Sequence, residues 1–116
     1  MEPLAVAVLM TIAGGLGAVI RFVLAQWSGK LPWGILAANV LGSFILGAYF
    51  LNNDAQLWLI VSALAGGIST FSSVSAQTWQ FISLKLRVQA ILNLLLNFVA
   101  PYLACMAGAT LDLLIR

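Results

Sequence analysis

The chain has 116 residues, of which 63% are hydrophobic and only 7% are charged. Five basic and three acidic residues are too few to cover the surface of a soluble domain, in which about 25% of residues are charged. We therefore expect an integral membrane protein. The absence of histidine and the single cysteine exclude an intrachain disulfide and argue against a side-chain metal cluster. A net charge of +2 is too small for a nucleic-acid-binding surface.

Charge-free stretches predict an all-α bundle of four membrane-spanning helices that form a single domain over residues 1–116. A helix needs about 20 apolar residues to cross the hydrocarbon core, and the predicted spans cover about residues 3–26, 32–52, 56–83 and 88–113. The first stretch lacks a basic N-terminal region and continues to Arg21. We therefore expect it to be a retained span and not a signal peptide.

The third span is too long for one perpendicular crossing and contains the sequence GGIST at 66–70. Two glycines followed by two hydroxyl residues predict a break in the helix, the alternative being an unbroken helix with tight glycine packing. Non-helical backbone at membrane depth is tolerated only inside protein or beside an aqueous cavity. Such a break exposes carbonyls that can coordinate a cation and N–H groups that attract an anion. Pro101 predicts an interruption of the fourth span that releases the carbonyl of Asn97.

Small residues spaced four apart on the first three spans predict close packing between helices. These pairs are Ala13 with Gly17, Gly14 with Ala18, Ala38 with Gly42, Ser43 with Gly47, and Ala63 with Gly67. Four spans bury few faces on their own, so the number of small faces favours a dimer. Arg21, Lys30, Lys85 and Arg87 fall on one side of the predicted bundle and only Arg116 on the other. The positive-inside rule then places both termini outside the cytoplasm.

No acidic residue is expected in the membrane interior, because all three lie at predicted helix ends: Glu2, Asp54 and Asp112. This argues against a proton-coupled exporter of small cations, which would need a membrane-embedded carboxylate. An enzyme is also disfavoured, since the chain offers no acid/base pair and no catalytic histidine. The protein is therefore expected to work through neutral hydrogen-bonding groups.

Two pairs of polar residues spaced four apart share a helix face: Asn39 with Ser43 on the second span, and Asn93 with Asn97 on the fourth. A buried amide in a membrane protein joins helices or lines a wet cavity. Both interpretations stay open for Asn39, whereas an interhelical contact is slightly favoured for Asn93.

Three segments together resemble the fluoride-channel family known as Fluc or CrcB: GGLGAVIRF at 14–22, ANVLGSF at 38–44 and GGISTFSS at 66–73. The resemblance implies an antiparallel, dual-topology dimer with two narrow pores, each lined by both subunits. It also implies that fluoride leaves the cell passively through the inner (plasma) membrane, which reduces its toxicity. A second four-span subunit, fluoride and membrane lipid are then the expected partners.

The resemblance also assigns roles to residues of this chain. Asn39 matches the pore asparagine of the family, Phe71 the first of two pore phenylalanines, and Arg21 a basic residue near a pore entrance. A structural sodium ion is implied at the dimer centre, bound by the backbone carbonyls of Gly66 and Ser69.

The chemistry of fluoride agrees with these roles, because this small, strongly hydrated anion accepts hydrogen bonds and donates none. A selective path must replace its water with donors. The candidates are the Asn39 amide, the hydroxyls of Ser43, Thr70 and Ser72, and the positive edge of the Phe71 ring.

The chain departs from the family pattern at three positions. Val74 takes the position of the second pore phenylalanine, while Asn97 and Pro101 take those of a span-four serine and glycine. Asn97 is therefore also expected at the pore. Together with the one-sided charge, these departures predict a heterodimer with a partner of opposite orientation and one impaired pore. A homodimer and a non-conducting subunit are the alternatives.

Overall fold

Five α-helices account for most of the chain, and the computed structural model describes all 116 residues. The helices are α1 (Pro3–Ala25), α2 (Trp33–Ala48), α3 (Ala55–Ile68), α4 (Ser72–Ser83) and α5 (Arg87–Ile115). Three stretches are long and apolar enough to cross a membrane: α1, α5, and α3 together with α4; α2 is a shorter apolar helix. The all-α class is confirmed, and the chain is a multi-pass membrane protein.

The predicted break in the third span is confirmed, since three non-helical residues separate α3 from α4. α3 ends at Ile68, and the backbone of Ser69 is extended, with φ −79° and ψ 155°. The Oγ1 atom of Thr70 accepts a hydrogen bond of 3.2 Å from the N–H of Ser73. This bond satisfies one of the free N–H groups at the start of α4, as a capping side chain does.

Small residues allow α1 to pack directly against α3, as their spacing predicts. A side chain at Gly17 would run into the backbone of Leu64, and one at Gly67 into the backbone of Gly14. The same type of contact joins α2 to α5, where Gly47 lies against the backbone of Cys105. Glycine is therefore required at these crossings to let the helix backbones approach.

Two details of the predicted spans are wrong. The second span, predicted over 32–52, ends as a helix at Ala48, because the chain turns at Tyr49, whose carbonyl accepts from the N–H of Asn52. The fourth span is not interrupted at Pro101, since α5 is one helix from Arg87 to Ile115. Pro101 lacks only the N–H that would bond to the carbonyl of Asn97, and the neighbouring helical bonds hold the helix together.

The acidic residues lie at helix ends, as predicted. Glu2 immediately precedes α1. Asp54 caps the N-terminus of α3, where its Oδ1 atom accepts from the N–H of Gln56 at 3.0 Å and of Leu57 at 3.1 Å. Asp112 forms an ion pair of 3.0 Å with Arg116 in the last turns of α5. No carboxylate therefore lies in the middle of the bundle.

Candidate functional site: a polar cavity at the helix break

The break in the third span is held to α2 by a hydrogen bond between Thr70 and Asn39. The backbone N–H of Thr70 donates to the Oδ1 atom of Asn39 at 2.6 Å. In a continuous helix this N–H would donate to the carbonyl of Gly66. The side chain of Asn39, only 7% exposed, therefore replaces a helical bond and stabilises the non-helical segment.

A cavity of about 250 Å³ opens beside this contact. Five of the residues predicted to line a pore surround it, on α2, on α5 and in the break: Asn39, Ser43, Thr70, Phe71 and Asn97. The remaining lining residues are Ser69, Val74, Phe98 and Pro101. No charged side chain contributes to the lining, so the polar character of the cavity comes from amides and hydroxyls.

A chain of hydrogen bonds continues from Asn39 along α5, and we call the three asparagines in it the amide ladder (Asn39, Asn97 and Asn93). The Nδ2 of Asn39 donates to Oδ1 of Asn97 at 2.8 Å. The Nδ2 of Asn97 donates to the carbonyl of Asn93 at 2.8 Å and to its Oδ1 at 3.1 Å. The Nδ2 of Asn93 donates to Oγ1 of Thr78 at 3.0 Å. Asn93, 2% exposed, is thus an interhelical contact.

The break leaves backbone groups of both polarities without a hydrogen-bond partner in the protein. The carbonyls of Gly66 and Ser69 accept no backbone hydrogen bond, and the N–H groups of Phe71 and Val74 donate none. Free carbonyls are ligands for a hard cation, and free N–H groups at a helix N-terminus attract an anion. The same three-residue interruption can therefore serve both kinds of ion.

Two phenylalanine rings stand beside the polar groups of the cavity. The centroids of Phe71 and Phe98 are 6.2 Å apart and their planes are inclined by 59°. This is an ordinary geometry for an aromatic pair. Phe98 was missed in the sequence, because one more phenylalanine in an apolar span has no distinguishing spacing. Its position next to Asn97 was the only available signal.

Two predicted pore residues, Ser72 and Arg21, do not line this cavity, and neither does Gly66, the predicted sodium ligand beside Ser69. Ser72 is exposed, and its Oγ lies 3.2 Å from Oγ1 of Thr70. Arg21 is half-buried on α1 and forms no ion pair, since the single ion pair joins Arg116 to Asp112. Their roles at the pore and its entrance stay predictions.

The fold and the site define a class: a multi-pass membrane protein with a broken helix and an uncharged polar cavity beside the break. Within this class, the chain belongs to the family described as "CrcB-like protein, Camphor Resistance (CrcB)", which matches residues 8–109.

Several relatives carry the name "Fluoride-specific ion channel FluC". The protein of Hahella chejuensis is 33% identical over 93% of this chain and 94% of its own length. The protein of Nitratiruptor sp. is 36% identical over 76% of this chain and 77% of its own. That of Leptospira interrogans is 36% identical over 64% of this chain and 68% of its own.

Proposed function

We propose that this chain is a subunit of a fluoride-selective channel of the inner (plasma) membrane, through which fluoride leaves the cytoplasm passively. The observation that carries the proposal is the Thr70–Asn39 contact at the helix break, which opens into a cavity that has donors and no charge. The names of the relatives from Hahella chejuensis and Nitratiruptor sp. support the same function.

The donors of the cavity suit an anion that can only accept hydrogen bonds. The Nδ2 group of Asn39 carries two hydrogens, and only one of them is donated to Asn97. The other hydrogen is not used in the amide ladder. The Ser43 hydroxyl lines the cavity, and the free N–H of Phe71 lies in the break. These groups replace water around fluoride, while the edges of the Phe71 and Phe98 rings add a weak positive potential.

The structure favours passive movement over proton-coupled export of cations. A proton-coupled exporter needs a titrating carboxylate in the membrane, whereas the three acidic residues lie at helix ends. Transport through this site therefore follows the fluoride gradient and the membrane potential.

A second four-span subunit is proposed to complete the pore. Phe71 and Phe98 are 66% and 61% exposed in the single chain, so the aromatic side of the cavity is open. Gly15 and Gly66 are exposed and have no neighbour within 4 Å of the position of a Cβ atom. Small residues on an open helix face allow the close approach of another helix. The one-sided charge favours a partner inserted in the opposite, antiparallel orientation, either a paralogue or a second copy.

A structural sodium ion is proposed at the break, bound by the carbonyls of Gly66 and Ser69. Both carbonyls lack a backbone hydrogen bond, and carbonyl oxygens are suitable ligands for a hard cation. The donor set therefore fits sodium, which would neutralise the negative ends of the free carbonyl dipoles and stabilise the non-helical backbone.

The decisive experiment measures fluoride efflux from liposomes with a fluoride electrode. The chain is reconstituted alone and together with a homologous subunit of reversed loop charge, and a potassium ionophore supplies the counter-current. We expect rapid fluoride efflux and no chloride efflux in at least one of the two preparations. If both preparations hold fluoride as well as protein-free vesicles do, the proposal is wrong. Efflux from the chain alone would remove the need for a paralogous partner.

A further inference from the structure

We propose that Asn97 and Asn93 are positioning residues, which hold the Asn39 amide with an N–H toward fluoride, and that neither is itself a ligand of the ion. The inference rests on the proposed fluoride function. It assigns roles within the amide ladder from the direction of its hydrogen bonds, which two backbone groups determine.

The first of these backbone groups is the N–H of Thr70. A backbone N–H only donates, so the Asn39 atom 2.6 Å away must be the acceptor Oδ1. Asn39 therefore turns its Nδ2 toward α5, where the atom of Asn97 at 2.8 Å must be an acceptor. The helix break thus fixes the orientation of the first two amides.

The second backbone group is the carbonyl of Asn93, at the other end of the ladder. A carbonyl only accepts, so the Asn97 atom 2.8 Å away must be the donor Nδ2. This requirement gives Asn97 the same orientation that Thr70 imposes through Asn39. The N–H of Thr70 and the carbonyl of Asn93 therefore require the same direction of hydrogen-bond donation along the ladder.

The direction of the ladder decides which amide can meet an anion. The Nδ2 group of Asn97 donates to two acceptors, and both belong to Asn93. The Oδ1 atom of Asn97 accepts from Asn39. Asn97 lines the cavity but has no free donor to offer. Asn39 keeps one free N–H, whereas an inverted Asn39 would present a carbonyl oxygen that repels fluoride.

Burial and polarisation make this arrangement effective. Asn93, at the far end of the ladder, and its acceptor Thr78 are 2% and 6% exposed. An amide that rotates there therefore loses its partners without gaining water. The Oδ1 of Asn39 accepts from the N–H of Thr70, just before the N-terminus of α4. Hydrogen bonds in a chain polarise one another, which strengthens the remaining N–H of Asn39 as a donor.

The first test is the Asn93→Leu variant, which nearly keeps the volume of the side chain. It removes the Oδ1 acceptor of Asn97 and the bond to Thr78, while the backbone carbonyl of residue 93 still accepts from Asn97. Gln89→Leu is the matched control, because Gln89 is a half-buried amide one turn earlier on α5 and takes part in no hydrogen bond of the ladder. We expect the fluoride flux per active channel to fall by about tenfold in Asn93→Leu. In Gln89→Leu the flux should be unchanged.

A purely structural role of Asn93 would lower the fraction of active vesicles and the yield of assembled protein, and leave the flux per active channel unchanged. The flux per active channel and its ratio to chloride flux are therefore the deciding measurements. An unchanged flux per channel in Asn93→Leu, or an equal loss in Gln89→Leu, would overturn the proposal.

The second test does not depend on conduction. Side-chain amides of the five asparagines, labelled with nitrogen-15, are observed by NMR during titration with sodium fluoride and, as a control, sodium chloride. We expect fluoride to shift one Nδ2 proton of Asn39 and neither proton of Asn97. We also expect faster solvent exchange of the Asn97 protons in Asn93→Leu. A fluoride-specific shift of an Asn97 proton would overturn the proposal. So would an unchanged solvent-exchange rate of the Asn97 protons in Asn93→Leu.

The two tests separate this inference from the proposed function. Wild-type vesicles that conduct no fluoride with any partner refute the channel, and the exchange rates of the Asn97 protons still decide whether the ladder exists. Wild-type vesicles that conduct fluoride, with no response of the Asn39 amide to the ion, refute the positioning role alone.

Discussion

Replacing Asn39 with aspartate exchanges one NH₂ group for an oxygen at the centre of the cavity. The bond from the N–H of Thr70 survives, because Oδ1 remains an acceptor. The second carboxylate oxygen, however, faces Oδ1 of Asn97, which in the native protein accepts from the Nδ2 of Asn39 at 2.8 Å. The substitution therefore removes the free donor and introduces a negative charge with almost no change in shape.

The size of the effect follows from the distance at which fluoride passes. An ion that would have bonded to Nδ2 comes within about 4 Å of the new carboxylate, where two like charges repel by about 4 kcal/mol at an effective dielectric constant of about 20. Each 1.4 kcal/mol corresponds to about a tenfold change in rate. We therefore expect fluoride efflux from liposomes to fall by about a thousandfold.

The control for this experiment is Asn53→Asp, the same chemical change in the exposed turn between α2 and α3. It should leave fluoride efflux unchanged. Both variants should elute at the wild-type position in size-exclusion chromatography, which shows that they assemble. If Asn39→Asp retains more than about a tenth of the wild-type rate, the direct contact between the amide and the ion is refuted, since this loss amounts to only about 1.4 kcal/mol.

Three further predictions concern the aromatic pair, the helix crossings and sodium. Phe98→Leu should reduce fluoride flux by about threefold to tenfold, because an aromatic pair contributes about 0.5–1.5 kcal/mol; a flux equal to wild type would show that Phe71 acts alone. Gly47→Val should destabilise the protein by about 1–3 kcal/mol or more in thermal unfolding, since the new side chain meets the backbone of Cys105; the control Gly15→Ala enters open space and should keep the monomer fold. Exchanging sodium for N-methylglucamine, a cation too large for two carbonyls, should lower fluoride efflux, and full activity without sodium would refute the proposed ion.

The helix break and the uncharged interior could be predicted because their signals are local. The sequence GGIST at 66–70 combines residues that leave a helix easily with hydroxyls that bond to free backbone groups. The structure places the interruption at the end of this sequence, over Ser69, Thr70 and the following Phe71. Likewise, a carboxylate near a turn is visible in any sequence, so the positions of the acidic residues at helix ends were also predictable.

The orientation of Asn97 could not be predicted, although its place on one helix face with Asn93 could. A spacing of four residues fixes which side chains are neighbours on α5, but not how α5 is rotated against α2. Whether Asn97 donates to an ion or accepts from Asn39 depends on that rotation and on the N–H of Thr70, 27 positions earlier in the chain. The same reason hides Phe98, because its partner Phe71 lies on a different span.

The second span has a consequence for how far a fluoride ion travels without water. Its 16 helical residues extend about 24 Å at 1.5 Å per residue, less than the hydrocarbon thickness of about 30 Å. A short helix is accommodated by local thinning of the bilayer, by snorkelling of flanking residues or by oligomerisation, and beside α2 we expect thinning, which brings the headgroups of both leaflets closer together. Since Asn39 stands on this helix, the dehydrated part of the route is shortened where it is energetically most costly. A thicker bilayer should therefore slow the ion.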